Sequence, residues 1–227
     1  FGENTFDRIL HENKLYTLLK LAVDNLIIIQ NSINMDDLAN LERYTYNTLL
    51  KEISEFVNYY IPFKNIINFE ANYFFELWEK NYNSQKFNFD GFAHKDYEFI
   101  NLIFLDKKNS HFKCGIIDFQ SAFIGFIGWD LLSILENPRI NFTRKYNEEL
   151  IKYFYDKVNI NSEFDTFRNQ YYLLNLARQT RLLGRWVKLV NLGNKEYLDF
   201  IKPTKNRIIS SLTNIKHYEL KTIYEKV

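Results

Sequence analysis

Leu10, Leu15, Leu18, Leu19, Ala22, Leu26 and Ile29 recur mostly at steps of three and four. That stripe predicts an amphipathic helix over about Asp7 to Gln30. Leu41 to Tyr60 repeats it through Leu49, Leu50, Ile53, Phe56 and Val57, and Pro62 is expected to stop it. A third helix is predicted from Glu70 to about Tyr82, then a polar loop from Asn81 to Asp90. There the period changes. Asn101 to Leu105 and Lys113 to Asp118 are short apolar runs flanking the polar stretch Asp106 to His111, the pattern of a β-hairpin. A turn centred near Asn109 and Ser110 puts Asn101 opposite Asp118. A glycine-containing loop, Gln120 to Gly128, leads into a helix from Trp129 to Glu136, closed by Pro138. Thr143–Val158, Ser162–Asn191 and Lys195 to about Lys216 complete a mainly α chain with one small hairpin. No repeat, low-complexity segment or linker interrupts it.

The 227 residues are 46% hydrophobic and 18% aromatic, enough for a sizeable core and unlike a disordered chain. The charges, 29 basic against 28 acidic, give no electrostatic footprint for nucleic acid or an anionic membrane. No apolar run approaches the length of a membrane span. The single cysteine, Cys114, excludes an intrachain disulfide framework and fits a reducing, cytoplasmic setting. The chain opens on Phe1 and its only methionine is Met35, so it reads as a piece of a longer protein.

The candidate chemistry lies where the period changes. Asp96 precedes Asn101 by five residues, and Asp118 ends an apolar strand. Phosphoryl transfer needs such a set: a carboxylate at the attacking hydroxyl, and hard oxygen ligands holding magnesium on a nucleotide. Asp96 is the candidate base, with Asn101 and Asp118 as magnesium ligands. His94 is expected to pin the loop, and Asp130 to hold helix amides and the loop. The other histidines, His11, His111 and His217, lack the spacing of a zinc site. Arg178, Arg181 and Arg185 share one helix face. They fit contacts to an acidic substrate or phosphate, or a solvated face laced with salt bridges, which is the simpler use.

The stretch from His94 to Asp130 resembles the aminoglycoside phosphotransferase-like superfamily, which also holds choline kinases. Its signature is His-x-Asp-x-x-x-x-Asn, an apolar strand ending in Asp-Phe, and Gly-x-x-x-x-Asp. Here these are His94, Asp96 and Asn101; Asp118 and Phe119; and Gly125 to Asp130. Asp118 to Ala122 and Gly128 to Arg139 look more like the branch of N-acetylmuramate/N-acetylglucosamine anomeric kinases. Gln179 to Gly184 and Phe1 to Phe6 also look like that branch. Lys95, Ser121 and Trp129 depart from its usual residues, which are Arg or Gly, Asp and Tyr. The resemblance implies a kinase-like C-terminal lobe over residues 1–227, with the catalytic loop and metal-binding hairpin in 92–130. It implies ATP and Mg2+ as cofactors and transfer to the anomeric hydroxyl of an amino sugar in cell-wall recycling.

The resemblance also implies an N-terminal lobe with a nucleotide-gripping lysine. No strand-borne lysine is legible upstream of His94, and Phe1-Gly2-Glu3 looks like the far side of the hinge. Such a lobe would have to come from a longer chain, and this chain alone is expected to be weakly active or inactive. Rival readings are an aminoglycoside, choline or homoserine phosphotransferase, or a truncated pseudokinase-like remnant. A polycationic aminoglycoside calls for a strongly acidic cleft, which the near-neutral charge balance does not favour.

Overall fold

A computed structural model describes residues 4–85, 87, 90–105, 114–140 and 144–225, the side chains of Met35 and Tyr218 excepted. The expected turn Asp106–His111 and the hinge residues Phe1-Gly2-Glu3 lie outside the described residues. The chain divides into two compact units, Phe1–Tyr44 with Asn88–Phe167, and Thr45–Phe87 with Arg168–Val227.

In the first unit the long N-terminal helix is split. Helix α1 is only Phe6–Ile9, and α2 runs Leu15–Ser32 after a 3-10 turn. The reason is phase. Leu10 and Leu15 are five apart, and Leu10 and His11 take extended backbone angles. The break lets Phe6 bury fully with its ring edge-on to Phe99, centroids 5.8 Å apart. Helix α2 packs its stripe of Leu15, Leu18, Leu19, Ala22 and Leu26 on α6 (Trp129–Leu135) and α7 (Asn147–Lys157).

Two antiparallel strand pairs complete this unit. Strand β2 (Leu102–Phe104) pairs with β3 (Cys114–Ile116), and β1 (Gly91–Ala93) pairs with β4 (Phe123–Gly125). Only the first pair is predicted by the hydrophobic pattern. In the second, β4 falls in the segment read as a loop and β1 lies just past the polar loop in residues given no element, and Gly91 is needed there. A β-carbon on Gly91 would lie 2.4 Å from the Ile127 α-carbon. The predicted start of the second helix at Leu41 is also displaced. Arg43 instead bridges Ile124, and Tyr44 donates its amide to the Ile124 carbonyl at 2.8 Å.

In the second unit α3 (Tyr46–Glu55) starts at Thr45, whose hydroxyl accepts from the Thr48 amide at 3.3 Å, the side-chain cap that fixes the boundary. The chain continues through a π-helical turn, Phe56–Tyr60, into α4 (Ile61–Phe63). Pro62 sits in that last turn without ending the helix where expected. Helices α5 (Ala71–Ser84), α8 (Phe164–Asn191, its first turn in the other unit), α9 (Ile201–Asn214) and α10 (Tyr218–Tyr224) complete the unit. Helix α10 was not anticipated, and Lys195–Phe200 is a 3-10 segment, not part of α9. Phe56, Phe74, Trp78 and Tyr224 form an aromatic core. Gly184 permits the closest approach of α8: a β-carbon there would lie 2.1 Å from the Glu55 carbonyl carbon.

Candidate active site

The loop between β1 and β2 carries His94, Asp96 and Asn101, and hydrogen bonds hold it at both ends. Asp130, in the first turn of α6 and 2% exposed, accepts the backbone amides of His94 at 2.7 Å and Lys95 at 3.1 Å. The His94 ring bonds the Ile117 carbonyl through Nε2 at 3.1 Å. A carbonyl only accepts, so Nε2 carries the proton. Burial lowers the His94 pKa. The Ile117 hydrogen bond and the negative charges of Asp96 and Asp118 oppose that shift, so both carboxylates are within electrostatic reach of the ring. The balance keeps the imidazole neutral near pH 7, as a structural donor.

Past Asp96 the loop closes on itself. The Asp96 carbonyl accepts from the Glu98 amide at 2.9 Å and from Asn101 Nδ2 at 2.8 Å. With Nδ2 so engaged, the Asn101 carboxamide keeps its oxygen as the group able to meet a cation. The Ile117 amide donates to the Asn101 carbonyl at 3.1 Å, stitching the loop to the end of β3. Asp96 is half-buried, Asn101 is buried and Asp118 is exposed.

One expectation is corrected here. Leu102 pairs with Ile116 and Phe104 with Cys114, so Asn101 faces Ile117, not Asp118. The hairpin pairs one residue out of the predicted register. In a regular strand that slip would send Asn101 and Asp118 to opposite faces. Asp118 escapes the alternation because its φ is 71°, in the left-handed region. Lys95, beside Asp96, is left-handed too, with φ of 77°. Neither is a glycine, and backbone strain of this kind collects at functional sites.

The oxygens of Asn101 and Asp118 suit magnesium, a hard cation that takes one or two protein ligands and completes its shell with phosphate and water. Their chemistry therefore fits the ion. Gln120 donates to Asp118 Oδ1 at 2.8 Å. Among the described residues no cluster of three or more His, Cys, Asp and Glu side chains could hold a metal by itself.

The first unit thus brings together His94, Asp96, Asn101, Asp118 and Asp130. The three arginines belong to the second unit, on α8. Arg181 pairs with Glu52 at 2.8 Å and Arg185 with Glu55 at 3.0 Å, while Arg178 is buried. Sequence reasoning did not single out Glu98, whose carboxylate pairs with Arg139, or Gln120. Glu98 lies inside the motif, and its position between Asp96 and Asn101 was the available signal.

No family model matches the chain. Over 113 residues it is 29% identical to an N-acetylmuramate/N-acetylglucosamine kinase of Caulobacter vibrioides, a match covering 48% of this chain and 30% of that kinase. Among solved structures it is similar to the spectinomycin phosphotransferase APH(9)-Ia, solved in complex with ADP and spectinomycin. The TM-score is 0.54 at 16% identity, over 94% of this chain and 69% of the other. The structural likeness shows the fold, that of a mainly α, kinase-like lobe, and the chain spans only part of the length of the curated relative it matches.

Proposed function

We propose that this chain carries the catalytic lobe of an ATP- and Mg2+-dependent small-molecule kinase that phosphorylates a sugar hydroxyl. The observation that carries the reading is the self-closed loop in which Asn101 bonds back to the Asp96 carbonyl while Asp130 fixes the amides of His94 and Lys95. One small scaffold then presents a half-buried carboxylate beside two oxygen ligands.

Asp96 accepts a hydrogen bond from the acceptor hydroxyl, orients it and takes its proton as the oxygen attacks the γ-phosphorus, while the bond from that phosphorus to the β–γ bridging oxygen breaks and ADP leaves. Asn101 Oδ1 and the Asp118 carboxylate would hold magnesium, which neutralises charge on the phosphates when bound. His94, neutral, ties the loop to Ile117 and takes no part in proton transfer. Asp130 keeps two amides in place, so Asp96 starts from a fixed backbone. Such preorganisation is the main source of rate in phosphoryl transfer.

The acceptor we favour is the anomeric hydroxyl of N-acetylmuramate or N-acetylglucosamine. The matched segment of the Caulobacter kinase supports it. The nucleotide grip would come from an N-terminal lobe outside these 227 residues, because among the described residues no strand precedes Gly91. ATP as donor sets the reaction in the cytoplasm. Phosphate-contacting roles for Arg178, Arg181 and Arg185 would require their release from the buried and ion-paired state described above.

The test is ADP release from Mg-ATP by the full-length protein. N-acetylmuramate, N-acetylglucosamine, spectinomycin, choline and homoserine are offered in turn, with Asp96→Asn as the control. Turnover is expected with an amino sugar and should fall at least about 100-fold in the variant. Neither turnover nor nucleotide binding in the full-length protein would overturn the kinase reading.

A further inference from the structure

The catalytic loop is held at a second point that the proposed chemistry does not use. Glu98 lies midway between Asp96 and Asn101. Its amide donates to the Asp96 carbonyl and its carbonyl accepts the Asn101 amide, each at 2.9 Å. The backbone of this one residue therefore joins the candidate base to the candidate metal ligand. Its carboxylate, only 13% exposed, is met by Nη1 of Arg139. Arg139 is itself oriented, since its amide donates to Asn137 Oδ1 at 3.0 Å just past the end of α6. The start of α6 holds the other end of the loop through Asp130. One short helix thus grips the loop twice, at His94 and Lys95 from its first turn and at Glu98 from the segment behind it.

We propose that Arg139 is a positioning residue of this site, acting through Glu98 to fix the spacing between Asp96 and Asn101. A planar guanidinium suits the task better than an ammonium. Its rigid fork sets the direction of the carboxylate as well as its charge balance. Without it Glu98 keeps its backbone bonds but loses the tether that stops the turn from rocking. A base and metal ligands displaced by about 1 Å lose about 100-fold in rate, while nucleotide contacts made elsewhere are spared.

For its kinetic readout the inference rests on the kinase reading. The experiment compares Arg139→Leu, Arg139→Lys and the charge exchange Glu98→Arg with Arg139→Glu in the full-length protein. Four quantities are followed: kcat, KM for ATP, the melting temperature, and amide hydrogen exchange at Glu98 and Asn101. In Arg139→Leu, kcat is expected to fall roughly 10- to 100-fold with KM for ATP changed less than about two-fold. Arg139→Lys should lie between, and the exchange should recover most of the loss. A general loss of structure would move KM, kcat and the melting temperature together and would not be rescued, and that result overturns the proposal. So does unchanged kcat in Arg139→Leu. If the unmodified protein shows no turnover with any acceptor, the kinase reading fails by itself, and exchange then decides for Arg139. Faster exchange at Glu98 and Asn101 in Arg139→Leu, with other amides unmoved, supports the tether. Unchanged exchange there overturns it.

Discussion

Two residues of the candidate site sit where an L-amino acid is strained. Lys95 and Asp118 have φ of 77° and 71°, and a β-carbon there costs about 1–2 kcal/mol. Glycine relieves that cost but adds entropy to the unfolded chain, so Lys95→Gly is expected to stabilise by about 0.5–1 kcal/mol in denaturant titration. Its amide still reaches Asp130, so the loop should keep its shape. Asp118→Gly should stabilise similarly while removing the candidate magnesium ligand. A higher midpoint with Mg-ATP turnover abolished is the expected pair of results. Equal loss of stability in both variants would show that the left-handed backbone is not a source of strain. Cys114 gives a separate check. Burial pushes its thiol up to about 12, outweighing the hydrogen bond with Tyr97, so no thiolate forms near neutrality. Iodoacetamide at pH 8 should label the unfolded chain and leave the native one almost unmodified.

Among the elements, the most demanding contact is α8 against the end of α3. At Gly184 a β-carbon would lie 2.1 Å from the Glu55 carbonyl carbon and 2.2 Å from its oxygen. Both belong to backbone, so the helices must part. Gly184→Ala is expected to cost about 3 kcal/mol, and a denaturation midpoint close to the parent's would refute the contact. The same contact explains what was legible in the sequence. Gly184 lies in an uninterrupted helical pattern, and that pattern located α8 to within a few residues without revealing which neighbour demands the glycine. Periodicity found α2, α5 and α7 in the same way, because their stripes report burial directly. It missed β1 and β4, which pair across some thirty residues, while β2 and β3, equally short, are legible as apolar runs flanking one polar turn. The site divides likewise. Asp96, Asn101, Asp118 and Asp130 stand at spacings that chemistry recognises. The hairpin register, the left-handed turn at Asp118 and the Arg139 pair depend on backbone geometry and on partners 41 residues apart, which no local pattern encodes.

For the whole molecule, acidity tests both units at once. Each holds one described histidine whose pKa burial lowers: His94 in the first and His217 in the second. The unfolded chain binds those protons near pH 6.5, and the folded chain binds them only at lower pH. Below 6.5 the unfolded state therefore carries more protons, and stability falls as pH falls. The loss is absent above the unfolded value and stops growing once the folded pKa is passed. Each histidine contributes at most about 1.4 kcal/mol per pH unit, and most carboxylates titrate below this window. Calorimetry from pH 7 to pH 5 should show a declining melting temperature, and a flat profile would contradict both burials. The two histidines also report on cooperativity. If the units unfold as one step, His94→Gln and His217→Gln each flatten the slope of a single transition. If they unfold separately, each substitution flattens only the transition of its own unit, and the profile resolves into two. The second result would mean that the unit bearing Asp96, Asn101 and Asp118 has its own acid limit, set by the imidazole that ties its loop to Ile117.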